Sequence, residues 1–242
     1  MCFSAEASFL ASGLLLPTGL AALAATWRQG HRDRWPLAIA PLAFGVQQAC
    51  EGVVWHWIET QPPLAPEPAP GRAVAASLSY LFFAYAFWPV WMPLAAVALR
   101  PRAGLAGLLW RATPWLGGVA GVLLWLPLLA DPGSALPEPV GHSLVYPVGS
   151  WGEGRLPPLL GPMLYAAWIV LPLLAVPSWR VRTFALTLLL AFALTEWTSR
   201  HALTSVWCFA SALLSLQLVW ILLAPSPRRS PPPGSPLPQP QP

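Results

Sequence analysis

A glutamate set inside an apolar run is the residue of this chain best placed to do chemistry. The segment GVQQACEGVVWHW carries Gln47, Gln48 and Glu51 through an otherwise lipophilic stretch. On a helix, positions 47, 51 and 55 share a face, as do 48, 51 and 55, so both amides, the carboxyl and Trp55 can point together into a bundle. An ionised, unpaired carboxyl at that depth costs several kcal/mol, so Glu51 is expected to be neutral, hydrogen-bonded or facing water. Such a group can carry a proton or hold a cation, and glutamines beside it can orient a small polar ligand. The plainer alternative is that these groups only knit helices together. His56 is off the Glu51 face and reads as an interfacial histidine.

Sulfur offers a second chemistry. Cys2 and Cys208 are both expected toward the outer side, where they can form a disulfide and leave Cys50 as an apolar thiol. Alternatively, Cys2, Cys208, His201, His56 and Glu51 supply soft and borderline ligands for a metal such as copper or zinc, although their spacing matches no metal signature. Removal of Met1 would expose Cys2 as an N-terminal nucleophile, but no base or oxyanion partner is evident. Glu196 and Arg200 have the spacing of a helical ion pair. The small polar residues Ser4, Ser8 and Ser12, and again Thr204, Cys208, Ser211 and Ser215, read as packing seams.

Positioning these groups takes helices. Apolar runs bounded by charge or turn residues fall at about 7–27, 36–58, 74–99, 105–130, 158–177, 183–199 and 203–224. The expected fold is an all-α polytopic bundle of about seven transmembrane helices over residues 1–224, followed by a proline-rich disordered cytoplasmic tail over 225–242. Arg28, Arg32, Arg34, Arg100, Arg102, Arg111, Arg180, Arg182, Arg228 and Arg229 fall on one side, and Arg72, Arg155 and Arg200 on the other. The positive-inside rule then puts the N-terminus outside and the C-terminus in the cytoplasm. The opening residues lack a basic n-region, so the first run is expected to remain as an anchor. Several tryptophans, among them Trp27, Trp35, Trp57, Trp179 and Trp197, sit near the ends of runs, where indoles favour the lipid interface. Prolines such as Pro89, Pro93, Pro114 and Pro127 interrupt the third and fourth runs and would permit bending. The loop with Asp131, Glu138, His142 and Glu153 reads as a solvated connector, with a lid as the alternative.

Composition sets the class. Of 242 residues, 56% are hydrophobic and only 9% charged, which excludes a soluble enzyme, a nucleic-acid binder and a disordered chain. All 13 basic residues are arginine, so no lysine Schiff base or phosphate-loop lysine can operate. No phosphate-binding glycine loop, paired-histidine zinc helix or nucleophile elbow occurs.

The opening MCFSAEASF, the segments GVQQACEGVVW and YLFFAYAFWPVWMPLA, and SVWCFASALLS together resemble an uncharacterised family of prokaryotic multi-pass membrane proteins whose members start Met-Cys-Phe-Ser-Ala. The likeness covers most of the chain outside the loops and tail. Cys2, Phe3, Ser4, Gln47, Gln48, Glu51, Gly52, Tyr80, Trp88, Pro89, Trp207 and Cys208 match its recurrent segments, whereas Cys50 departs from them. The resemblance implies a polytopic helical membrane protein and assigns no chemistry.

The leading expectation is an integral protein of the cell membrane, its partner the lipid bilayer rather than nucleic acid. In it Gln47, Gln48, Glu51, Cys2 and Cys208 form a polar site, open to the outside, for a small polar ligand, proton or cation. A membrane redox or metal enzyme using Cys2 and Cys208 is the second reading, and a structural or assembly subunit the third. No cofactor follows from the sequence.

Overall fold

A computed structural model describes residues 4–62, 68–146 and 160–224. Cys2, Glu153, Arg155 and the stretch 225–242 lie outside them. Among the described residues the α-helices are α1 (Ala5–Arg28), α2 (Trp35–Glu59), α3 (Gly71–Phe82), α4 (Trp88–Leu99), α5 (Gly104–Ala130), α6 (Leu160–Leu174), α7 (Trp179–Ser199) and α8 (Leu203–Leu223). The architecture is thus all-helical, relieved by one short hairpin of β1 (Glu138–Val140) and β2 (Ser143–Val145). Five runs are long and apolar enough to cross a membrane: Ala5–Arg28, Arg32–Glu59, Gly71–Leu99, Gly104–Ala130 and Trp179–Leu223. The last is a pair, α7 and α8, packed on each other and joined by the 3-10 turn Arg200–Ala202. Helix α6 is a shorter apolar helix.

Local chemistry fixes the helix ends. Ser4 caps α1 by accepting the Ala7 N–H on its hydroxyl at 3.2 Å, and Glu59 Oε1, from the last turn of α2, accepts the Ala5 N–H at 3.0 Å. The chain leaves α1 through Gly30, whose φ of 69° suits a residue without Cβ. Helices α1 and α2 then pack closely along a glycine seam. A Cβ at Gly52 would come within 2.7 Å of the Phe9 ring, and one at Gly45 within 2.9 Å of Leu16.

Between α3 and α4 the helix does not stop but widens into a π turn over Phe83–Phe87. The Trp88 N–H there reaches back five residues to the Phe83 carbonyl. In that register the next N–H should serve Ala84, but residue 89 is proline and has none. The Tyr165 hydroxyl of α6 donates to the Ala84 carbonyl instead. Pro93 likewise frees the Pro89 carbonyl, which accepts the Trp168 indole N–H at 3.0 Å. Helix α5 lies against the same turn, with Gly117 at the Pro89 carbonyl and Gly121 at Ala86.

Two ends of the bundle emerge. The starts of α2 and α7 meet the ends of α4 and α8 at one end, where Arg34, Leu99, Arg180 and Leu222 line a common cavity. The other end holds the Glu59 cap of α1 and the hairpin. Asp131, Glu138 and His142 are exposed, as expected of a solvated connector, but beyond the turn at Gly141 the second strand packs inward: Leu144 is fully buried, and Tyr146 stacks on Tyr80 with ring centroids 4.9 Å apart. An apolar residue and an aromatic ring two positions apart in an otherwise polar loop are the driving force. The segment 147–159 of the same loop is outside the described residues.

Candidate functional site

Helix α2 is the spine of the site. Its buried face includes Gln47, Gln48, Glu51 and Trp55, the grouping expected from the helical period. Gln47 and Gln48 are fully buried and Glu51 is 1% exposed, so the carboxyl has no access to bulk water. His56 is exposed and off this face.

Each polar group is held by a different element. Ser205, in the first turn of α8, donates its hydroxyl to Glu51 Oε1 at 2.6 Å. Gln48 Nε2 donates to Glu51 Oε2 at 3.2 Å, one turn away on α2. The Tyr80 hydroxyl of α3 donates to the Thr204 carbonyl at 3.2 Å and also lies beside the Glu51 carboxyl and the Cys208 thiol. On the other flank, Trp88 Nε1 donates to Gln47 Oε1 at 2.8 Å. Because an indole only donates, this bond fixes the Gln47 amide with its NH2 group turned away from Trp88, near the Cys208 thiol. The Phe44 ring stacks on Trp88 at 3.9 Å between centroids and holds the indole in place.

The hydrogen bonding does not close. Gln48 Oε1 and the Tyr146 hydroxyl are buried without a hydrogen-bond partner among the described residues, whereas the Gln47 NH2 group and the Tyr85 hydroxyl reach only the Cys208 thiol and Thr204. Tyr85 comes from the π turn and lies beside Thr204 and Cys208, and Tyr146 approaches Glu51 from the hairpin. Burial, and after it the charge of Glu51, holds the Tyr146 hydroxyl well above its ordinary pKa, so this ring remains neutral. The cluster therefore offers one carboxyl, the amide groups of Gln47 and Gln48, and the unpartnered Tyr146 hydroxyl, with the Tyr85 hydroxyl nearby. Among the described residues it contains no arginine or histidine, and the Glu196–Arg200 pair, at 3.0 Å, lies apart from it on α7 and the following turn.

Of the residues singled out by sequence, Gln47, Gln48, Glu51 and Cys208 come together. Cys2 lies outside the described residues, and so does any bond it makes to Cys208. Cys50 and Cys208 carry free thiols among the described residues, Cys208 buried and Cys50 partly so. Among the same residues no group of three or more His, Cys, Asp or Glu side chains stands close enough to share a metal ion. His201 is exposed. Ser8 and Ser12 are buried in the α1 seam, and Ser211 and Ser215 in that of α8.

Ser205, Tyr85 and Tyr146 escaped sequence reasoning. Ser205 is adjacent to the stripe through Thr204 and Cys208, a signal that a one-position shift of the face would have caught. Tyr80 and Trp88 were marked only by the familiar segment in which they stand. Tyr146 carried no local signal, because its burial depends on a hairpin that returns it to α3. Comparison with protein families, with curated proteins and with solved structures gives no match to this chain.

Proposed function

We propose that this protein is a multi-pass protein of the cell membrane whose polar centre at Glu51 binds, and passes on, a small polar ligand, a proton or a cation. The observation that carries this reading is a buried carboxyl without a cationic neighbour among the described residues, beside a Gln48 Oε1 and a Tyr146 hydroxyl that lack partners there. Groups serving only to join helices would be expected to satisfy one another; unsatisfied ones are left for a bound species. In this reading Glu51 takes the proton or cation, the glutamines orient the ligand, and Cys208, with Cys2, contributes to the outer rim.

The same proposal has seven crossings, by α1, α2, the continuous run α3–α4, α5, α6, α7 and α8, with the N-terminus outside and the C-terminus inside. Supporting it, Arg34 stands 17 positions before Glu51, about 25 Å along the helix axis, at the end where Arg180 also lies. An arginine-rich end opposite a polar centre is the asymmetry of a chain oriented by the positive-inside rule. The likeness to the prokaryotic family that begins Met-Cys-Phe-Ser-Ala belongs to this proposal too and rests on the shared segments.

Proteoliposomes holding wild type and Glu51→Gln test the reading with pH-sensitive and cation-sensitive dyes. Wild type is expected to show flux or saturable uptake that the variant loses while its helical content and elution stay unchanged. Equal behaviour of two folded proteins, or a wild type inert to protons, cations and small polar solutes, would overturn it.

A further inference from the structure

The end of the bundle away from Glu51 contains a cavity of about 380 Å³. That lies within the range of small-ligand pockets, roughly 300–1,000 Å³. Its inner wall is apolar, with Leu37, Val181 and Leu222, and its mouth is charged. Arg34 enters from the turn before α2 and Arg180 from the first turn of α7. Neither guanidinium makes a hydrogen bond or ion pair among the described residues. Arg180 lies over the rings of Trp179 and Trp220, 5.8 and 5.5 Å from their centroids, which orients the guanidinium without neutralising it. Asp33 lines the same cavity and pairs with neither arginine, so the mouth stays net positive.

Two unpaired guanidiniums on separate elements, facing one cavity, can each present a fork of donors to an oxyanion. Ser178 adds a hydroxyl at the mouth, and α7 adds backbone donors. The first intrahelical bond there runs from the Arg182 N–H to the Ser178 carbonyl, at 3.0 Å, leaving the preceding N–H groups without an intrahelical acceptor. Two forks plus these donors outnumber the two oxygens of a carboxylate and suit the three terminal oxygens of a phosphate monoester or the several of a phosphate ion.

We propose that this cavity binds a terminal phosphate group through Arg34 and Arg180, supplied by a phosphomonoester lipid headgroup or by a soluble phosphate. The site is independent of Glu51 and of what is bound there. One arm of the test titrates inorganic phosphate onto the purified protein in neutral detergent at constant ionic strength, reading the unfolding temperature. The other reconstitutes it in nanodiscs of phosphatidylcholine with or without phosphatidic acid, whose headgroup is a phosphate monoester, and counts retained lipid by native mass spectrometry. Binding is expected in at least one arm, and the responding arm identifies the source. Arg34→Gln and Arg180→Gln should each weaken it about tenfold or more, and Arg34→Lys and Arg180→Lys by less. Arg111→Gln, on α5 away from the cavity, should leave it unchanged. Absence of binding in both arms, or binding that survives both glutamine substitutions in folded protein, overturns the proposal.

Discussion

Ser205 and Glu51 are separated by 154 positions in sequence and by 2.6 Å in the bundle, so the hydroxyl is the partner that the carboxyl can least do without. Ser205→Ala would strip Glu51 Oε1 of that donor. Chemical unfolding in mixed micelles should register a loss of about 1–3 kcal/mol, the cost of leaving a buried polar atom unsatisfied. Trp88→Phe should cost a similar amount, because it removes the donor to Gln47 Oε1 and loosens the stack on Phe44. The Cys208 thiol, 7% exposed, should resist an impermeant maleimide in the folded protein and react fully once denatured; prompt labelling of the native state would contradict its burial. Glu51 and the two glutamines were legible from sequence because charge and amides stand out in an apolar run. Their partners were not, because Ser205, Tyr80 and Tyr146 are ordinary residues that only tertiary packing delivers to the carboxyl.

At the scale of elements, the π turn ties α3–α4 to α6 through carbonyls that proline leaves unpaired, and packs on the glycines of α5. A double-mutant cycle can isolate this arrangement. Trp168→Phe alone should destabilise by about 1 kcal/mol, since the Pro89 carbonyl loses its indole donor. With Pro93→Ala in place, the new backbone N–H can serve that carbonyl, and the cost of Trp168→Phe should shrink; strictly additive losses would argue against the substitution of one donor for another. Gly117→Ala probes the same region from α5, where the added Cβ would meet the Pro89 carbonyl. The helix must back away, and an expected loss of about 1–3 kcal/mol is measurable by thermal unfolding. Helix positions were largely legible: the expected run 36–58 is observed as Trp35–Glu59, and 105–130 as Gly104–Ala130. Apolar length bounded by arginine and proline carries that information. The π turn was not legible, since FAYAF has no feature that separates five-residue from four-residue bonding until the prolines and aromatic donors of other helices are in place. The hairpin was hidden for the same reason.

For the whole molecule, the separation of an arginine-rich end from a polar one gives a testable orientation. Single cysteines at His31 and Ala103, in a background lacking the native ones, should be labelled only after the membrane is breached. Cysteines at Gln61 and Ser134 should be labelled in intact cells. The reverse pattern, or labelling of all four, would overturn the proposed crossing order. Composition made the membrane class legible at once, whereas the internal sharing of load did not show. Helix α5 illustrates this: it buries only Gly107, Pro114, Gly117, Gly121 and Leu128, and turns Trp115, Val119 and Leu123 outward. Gly117 and Gly121 meet the bundle and most of its leucines face away, a reversal of the soluble pattern that suits an apolar surrounding.

The cap that Glu59 places on Ala5 bears on biosynthesis. A ribosome makes residue 59 long after residue 5, so the first helix emerges with an amide at its head still unsatisfied. Only when α2 has followed can the chain close that end and seat Phe9 on Gly52. The first two helices are therefore a matched pair for the insertion machinery, and a nascent chain arrested before residue 59 should expose α1 to proteases that the longer chain withstands.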